Sequence, residues 1–281
     1  MLSVLIPTYN CNITSLVHKI HKQASELNVV FEIICIDDCS TTKSISEANQ
    51  NISNLKNTNY TILDKNVGRS AIRNILAKQA TYNLLLFIDA GTMPKNTDFI
   101  KSYLKVKNHA VTSGGMTCLA TPPNKPYKLR WLYTKKREHK TLCSSNFMIK
   151  KDVILAHPFD ETITSYGYED VLFFKNLEKH DFKTHFFNNP VVHHADDDTS
   201  TFLNKTDKAL NNLMMLYNEK KIFPHQVKLL KLYLSLKTLK LNGLIYLIFK
   251  IVKPIVKINL NSNNPSILLF DFYRISYLCR H

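Results

Sequence analysis

A run of five apolar residues, Leu84-Leu85-Leu86-Phe87-Ile88, stops at a carboxylate, Asp89. A short apolar run closed by polar turn residues reads as a strand buried on both faces, of the kind found in the middle of a parallel sheet with helices above and below. Open α/β sheets bind ligands at the carboxyl ends of their strands. Asp89 is therefore placed to meet a ligand or its metal; the simpler alternative is that it caps the turn that follows. A second apolar strand, residues 31–36, ends the same way, in Asp37-Asp38-Cys39-Ser40.

The surrounding pattern extends this reading. Residues 3–6 form a buried strand closed by Pro7-Thr8-Tyr9-Asn10, and 14–27 have helical spacing through Leu16, Ile20, Ala24 and Leu27. Residues 42–55 read as helix, 60–63 as strand, and Asn66-Val67-Gly68-Arg69 as a turn into a helix over 70–80. Strands alternating with helices of this length imply βαβ units and a parallel sheet. Further on, the pattern predicts a helix over 98–107, strands over 110–113, 145–149 and 184–187, and a short helix over 152–156. Another helix follows Tyr166-Gly167-Tyr168-Glu169-Asp170. Asp196-Asp197-Asp198 read as a solvated turn. No G-x-G-x-x-G follows the first strand, which disfavours Rossmann-type dinucleotide binding.

Charge separates the chain into two parts. Of a formal +15, +10 falls between Lys220 and the C terminus, where nine Lys and two Arg face one acid, Asp271. Such asymmetry points to an anionic partner for the tail. From residue 224 to about 260, Leu, Ile and Val alternate with Lys, and the longest uncharged stretch, 241–249, is too short to cross a bilayer as a helix. Lys228, Lys231, Lys250, Lys253 and Lys257 share a helical sector, while Lys237 and Lys240 do not. Breaks are expected at Asn242-Gly243 and at Pro254. The tail reads as basic amphipathic helices on an anionic membrane surface; the alternative is a basic helical cap on the body. No helix-turn-helix or RNA-binding signature is present, so nucleic acid is not an expected partner.

Six scattered cysteines without a C-x-x-C pair argue against zinc or a disulfide framework. Met1 leads directly into the first strand, so no signal peptide is expected.

Carboxylates gathered at one sheet edge can bind a base, ribose hydroxyls, or a divalent cation with diphosphate oxygens. The motifs Val4-Leu5-Ile6-Pro7-Thr8-Tyr9-Asn10, Ile36-Asp37-Asp38-Cys39-Ser40, Asn66-Val67-Gly68 with Arg73-Asn74, and Phe87-Ile88-Asp89-Ala90-Gly91 occur in a set order. Phe159-Asp160, Gly167-Tyr168-Glu169-Asp170 and the histidine after Pro190 continue it. In this order the chain resembles family 2 glycosyltransferases of the GT-A fold, over roughly residues 1–215, and in particular bacterial polysaccharide glycosyltransferases.

The resemblance implies roles. Pro7 and Tyr9 correspond to nucleotide-edge residues, Asp38 to the carboxylate that binds uracil with Asp37 beside it, and Arg73 to a basic residue near the base. Asp89 corresponds to the first Asp of the D-x-D element, Asp170 to the catalytic base, Glu169 to an acceptor-contacting residue, and His193 to a histidine that completes a metal site with Asp89. The cofactor implied is Mn²⁺ or Mg²⁺. Gly91 stands where the second Asp of D-x-D belongs, which leaves three outcomes open: metal held by Asp89, His193 and water, weak or absent metal dependence, or lost activity. The basic stretch 128–140, with Arg130-Trp131-Leu132-Tyr133, falls where similar enzymes carry a flexible acceptor loop; Trp131 is expected either to stack on a sugar or to pack in the core.

The expectation is an α/β, GT-A-like protein with a mostly parallel central sheet flanked by helices and a basic helical C-terminal extension. Residues 1–220 form the catalytic domain (1–110 the nucleotide-binding half, 111–220 the acceptor half), and 221–281 the membrane-associating tail. The expected activity is inverting transfer of a hexosyl or N-acetylhexosaminyl group from a nucleotide-diphosphate sugar, UDP-linked, to a lipid-linked glycan in cell-surface polysaccharide synthesis. It would operate in the cytoplasm, peripheral on the inner face of the cell membrane. The alternative is a degenerate, non-catalytic glycosyltransferase-like binding protein.

Overall fold

The computed structural model describes residues 1–138 and 141–280. Among them are ten strands: β1 (Leu2–Thr8), β2 (Phe31–Asp37), β3 (Thr58–Ile62), β4 (Leu84–Ile88), β5 (Thr92–Pro94), β6 (Val111–Ser113), β7 (Met116–Cys118), β8 (Asn146–Lys150), β9 (His185–Phe186) and β10 (Val191–His193). The helices are α1 (Thr14–Ser25), α2 (Lys43–Gln50), α3 (Arg69–Gln79), α4 (Phe99–Lys105), α5 (Lys128–Lys136), α6 (Lys151–Ala156), α7 (Glu169–Lys179), α8 (Thr199–Asn218), α9 (Lys228–Thr238), α10 (Asn242–Leu260) and α11 (Ile267–Leu278). They divide into two compact units. The first contains Met1–Cys118, Arg137–Thr164 and Glu169–His194; the second contains Leu119–Lys136, Ser165–Tyr168 and Ala195–His281.

The first unit is built on a seven-stranded sheet in the order β3-β2-β1-β4-β8-β6-β9. β1 lies between β2 and β4, parallel to both, with Leu5 opposite Ile34 on one side and Phe87 on the other. Side chains alternate across the sheet. Val4 and Ile6 therefore pack with Ile13, Leu16, Val17 and Ile20 on one face. Leu5 and Phe87 pack with Ile72 and Leu76 on the other. Burial on both faces explains the unbroken apolar run of 84–88. One strand of this sheet departs from the parallel pattern: β8 runs antiparallel to β4 and β6, wedged between them. A smaller sheet, β5-β10-β7, adjoins the chain just past Asp89.

The second unit is helical. Leu129, Phe202, Leu203, Phe249, Val256, Leu260, Phe270 and Tyr273 form its core. Several expectations are corrected here. The boundary foreseen near residue 220 lies instead at His194, because α8 packs its Phe202 and Leu203 with Phe270 and Tyr273 of α11. The stretch expected to be a flexible loop is helix α5 over Lys128–Lys136, and Trp131 is buried, its indole donating to the Leu119 carbonyl at 2.8 Å. His139 and Lys140, the end of that stretch, lie outside the described residues. Two of the acids of 196–198 are structural, while Asp196 is exposed. Asp198 caps α8 by accepting the Thr201 N–H at 2.7 Å, and Asp197 pairs with Lys205 at 2.7 Å. In the tail, one break falls just before Asn242-Gly243, but Pro254 lies inside α10 without ending it. No helix among the described residues is long and apolar enough to cross a membrane.

Candidate active site

The carboxyl end of β4 delivers Asp89, and α3 delivers two arginines to it. Arg69 and Arg73 are four residues apart, so they share one face of α3. Arg73 Nη2 donates to Asp89 Oδ1 at 2.6 Å, and Arg69 Nη2 donates to Asp89 Oδ2 at 3.2 Å. The Ser145 hydroxyl donates to the same Oδ2 at 2.8 Å. Arg69 also reaches α7, where its Nε donates to Glu169 Oε1 at 2.6 Å. Arg69 thus bridges two carboxylates whose positions are 80 residues apart in the chain, and its side chain is 43% exposed while that of Arg73 is 1% exposed.

The start of α3 explains this aim. Its N-cap is Gly68, at φ +85°, a conformation that costs glycine little. The turn before it is held by Asp38, whose Oδ1 accepts the Val67 N–H at 2.6 Å and whose Oδ2 accepts the Gly68 N–H at 3.0 Å. Asn74, one residue past Arg73, exchanges hydrogen bonds with the backbone of Phe159: it donates to the carbonyl at 2.9 Å and accepts the N–H at 3.0 Å. The motifs read separately along the sequence are therefore one another's partners in space.

The electrostatics follow from this count of charges. Burial alone would raise the Asp89 carboxyl, but Arg73 and Arg69 outweigh it and hold Asp89 below the usual carboxylate range. Asp170 goes the other way. Burial, and then the charge of Glu169 beside it, push its carboxyl up to about 7, against the pull of the Val171 N–H and the two arginines. Glu169 is buried, and its Oε2 has no hydrogen-bond partner among the described residues. A buried carboxylate oxygen left without a donor is costly unless something fills the place. The site thus holds a carboxyl able to take a proton near neutral pH next to an acceptor atom awaiting a donor.

The remaining residues are placed as follows. Tyr9 is exposed and Pro7 partly exposed at the end of β1. Asp37 is fully buried, and its carboxylate accepts from the Tyr60 hydroxyl and from the Ser40 N–H at 2.7 Å, so it pins the edge rather than facing a ligand. Arg73, expected near the base, is instead buried against Asp89 because that carboxylate needs a partner in the interior. His193 lies opposite Thr92 in the small sheet, and Thr92 donates through its hydroxyl to the Asp89 carbonyl at 2.8 Å. His193 is thereby brought to the turn that follows Asp89. Arg69 and Ser145 were missed as site residues; the spacing of Arg69 from Arg73 was the available signal.

The residues do not fit a preassembled divalent-cation site. Both Asp89 oxygens already face guanidinium N–H groups. Among the described residues no three His, Cys, Asp or Glu side chains converge as a ligand set. Gly91 contributes no ligand, although a Cβ there would meet nothing within 4 Å.

The sequence profile of the family described as Glycosyl transferase family 2 matches residues 3–154, more than half of the chain. The chain belongs to glycosyl transferase family 2. This family 2 chain is 39% identical over 93 residues to poly(ribitol-phosphate) beta-N-acetylglucosaminyltransferase TarS of Staphylococcus aureus strain Mu50, and to TarS of strain MW2 at the same level. The aligned stretch is 31% of this chain and 16% of that protein, so the chain matches only a small part of the length of these relatives. Among solved structures, its fold is similar to S. aureus TarS 1-349 in complex with UDP (TM-score 0.51, 20% identity, covering 76% of this chain and 65% of that one). It is likewise similar to the mannosyltransferase PcManGT of Pyrobaculum calidifontis in complex with GDP-Man and Mn²⁺ (TM-score 0.54, 14% identity, 77% and 64% covered). The family 2 chain has the GT-A-like α/β fold of these proteins, with its mostly parallel sheet and flanking helices.

Proposed function

We propose that this family 2 protein transfers a hexosyl or N-acetylhexosaminyl group, with inversion, from a UDP-sugar to a glycan acceptor in cell-surface polysaccharide synthesis. The observation that carries the reading is the pair at the start of α7: a carboxyl raised to about 7 at Asp170, next to the partnerless buried oxygen of Glu169. The uridine preference is supported by the fold likeness to TarS solved with UDP. The basic tail supports a lipid-linked acceptor and a place on the cytoplasmic face of the cell membrane.

In this mechanism Asp170 takes the proton from the acceptor hydroxyl as its oxygen attacks the anomeric carbon. The bond from that carbon to the diphosphate breaks on the opposite face, and the nucleoside diphosphate leaves with the electron pair. Glu169 Oε2 accepts a hydrogen bond from the acceptor and orients it. The half-exposed Arg69 guanidinium, held by Asp89 and Glu169, faces the charge that grows on the leaving diphosphate. Tyr9, Pro7 and Asp38 border the nucleoside at the edge formed by β1 and β2.

Calorimetric titration with UDP, GDP and several UDP-sugars, in Mn²⁺ and then in EDTA, tests the reading. UDP binding together with donor turnover that Asp170→Asn removes supports it. UDP binding without turnover assigns the chain to the non-catalytic alternative, which Gly91 favours. Absence of nucleotide binding in both media overturns the donor assignment.

A further inference from the structure

The second unit carries a surface that the catalytic reading does not use. Helix α10 buries one seam, Phe249, Val256 and Leu260, in the core with Phe270 and Tyr273. A different side of the same helix presents Leu244, Leu247, Ile248, Ile251, Ile255 and Ile258 to solvent. At about 100° per residue these six fall within an arc of roughly 100°, and they extend about 21 Å along the helix. Their exposure is high: 73% for Ile251, 68% for Ile255 and 73% for Ile258. A contiguous apolar stripe of this kind on a folded surface marks an interaction site.

Charge selects the occupant. Lys250, Lys253 and Lys257 form an exposed row on the same helix, between the buried seam and the apolar stripe. No acid occurs between Glu219 and Asp271. A second copy docking stripe to stripe would bring two lysine rows together with no carboxylate on α9 or α10 to offset them. Lipid with anionic headgroups satisfies both features at once: the acyl region takes the branched side chains, and the headgroups take the ammonium ends of lysines whose stems lie along the stripe. The helix lies in the interface rather than through it, because its two sides differ and one is committed to the protein core.

We infer that α10 is a monotopic membrane-docking helix, inserting Leu244, Leu247, Ile248, Ile251, Ile255 and Ile258 into an anionic lipid surface with Lys250, Lys253 and Lys257 at the headgroups. Pro254 is compatible with this, being exposed within α10, on a side away from the packed seam. The inference stands on the second unit alone, so it and the transferase reading fail independently.

The test is flotation of the full chain with vesicles of phosphatidylcholine, with and without a third of phosphatidylglycerol. The wild type floats with the anionic vesicles, and high salt weakens the binding. The double variant Ile251→Asp/Ile255→Asp lowers partitioning by about tenfold or more. The triple variant Lys250→Gln/Lys253→Gln/Lys257→Gln lowers the preference for anionic vesicles on the order of tenfold or more. Melting temperature and UDP binding, measured in parallel, stay at wild-type values, which separates lost docking from lost folding. A wild type that ignores both vesicle types overturns the inference, as does a double variant that floats as well as wild type. A concentration-dependent dimer seen by light scattering, abolished by Ile251→Asp/Ile255→Asp in a chain that does not float, assigns the stripe to a second copy instead.

Discussion

Arg73 Nη2 lies 2.6 Å from Asp89 Oδ1, and this contact places a nearly inaccessible guanidinium beneath the carboxylate at the end of the central strand. Its neighbour Arg69 contacts the other oxygen of Asp89 from the open side. The two arginines therefore divide the labour between holding the site and serving it. Arg73→Ala leaves Asp89 without its buried partner and is expected to cost about 3–5 kcal/mol of stability, measurable by urea unfolding. Arg69→Ala removes a 43%-exposed guanidinium from Asp89 and from the buried Glu169, and because water reaches the vacated side it is expected to destabilise less than Arg73→Ala while lowering turnover far more than UDP binding. Equal destabilisation by the two substitutions would contradict this division.

With Asp170 as the proposed base, a pH dependence follows. Its raised carboxyl acts as a base only once deprotonated, so transfer should rise with pH through about 7, and Asp170→Asn should lower the rate by about 10²–10⁴-fold while UDP still binds. The same shift has a thermodynamic sign. Between the ordinary carboxylate range and about 7, the folded chain keeps a proton that the unfolded chain has released. The folded state then binds more protons, and stability falls as pH rises across that window. Asp170→Asn removes this loss, so the variant should melt higher than wild type at pH 8 and near wild type at pH 4, by about 2–4 °C for each kcal/mol recovered. A lower melting temperature at pH 8 would argue that Asp170 is not strained by burial.

Gly91 offers a gain-of-function test. A Cβ at this position meets nothing within 4 Å, so the side chain of Gly91→Asp starts from open space. It adds a second carboxylate near Asp89 and His193. The variant should bind Mn²⁺ measurably tighter than wild type by calorimetry or paramagnetic resonance, whereas wild-type UDP binding should change little on adding EDTA. Strong EDTA sensitivity in the wild type would show that a cation displaces Arg69 from Asp89 when the donor enters.

Gly114 sits in a polar cluster that the periodic pattern did not foreshadow. Tyr103 donates to Asn146 at 2.6 Å, Asn146 donates to the carbonyls of Gly115 and Asn189 at 2.8 and 2.9 Å, and the Gly114 N–H donates to the Tyr103 hydroxyl at 3.0 Å. A Cβ on Gly114 would approach the Asn189 carbonyl to 2.3 Å, a backbone atom that cannot swing away. Gly114→Ala should therefore destabilise by about 1–3 kcal/mol or more, detected as a lower urea midpoint with unchanged slope.

How much was legible in the sequence can be followed at particular residues. The central strand 84–88 and its Asp89 were readable because burial on both faces leaves an unbroken apolar run, a purely local signature. The turn at Gly68 was readable too, since its backbone conformation favours one residue type. Trp131 was not decidable, because a Trp in a basic stretch packs inward or faces a sugar according to what lies across from it. The Leu119 carbonyl took its indole and closed that choice.

By itself, then, the sequence determined the alternation of strands and helices as far as Asp89, the carboxylates at the strand ends and the basic character of the tail. Each of these depends on neighbours within one or two turns of chain. Only the tertiary structure decided what those carboxylates hold. Asp37 is closed off by Tyr60, Asp38 clamps Val67 and Gly68, Asp89 is taken by Arg73 and Arg69, and Asp170 is left raised beside Glu169. The reason is physical: a buried charge must find its partner in space, and here those partners come from segments far away in the chain, brought close by the packing of α3 and α7 with the sheet.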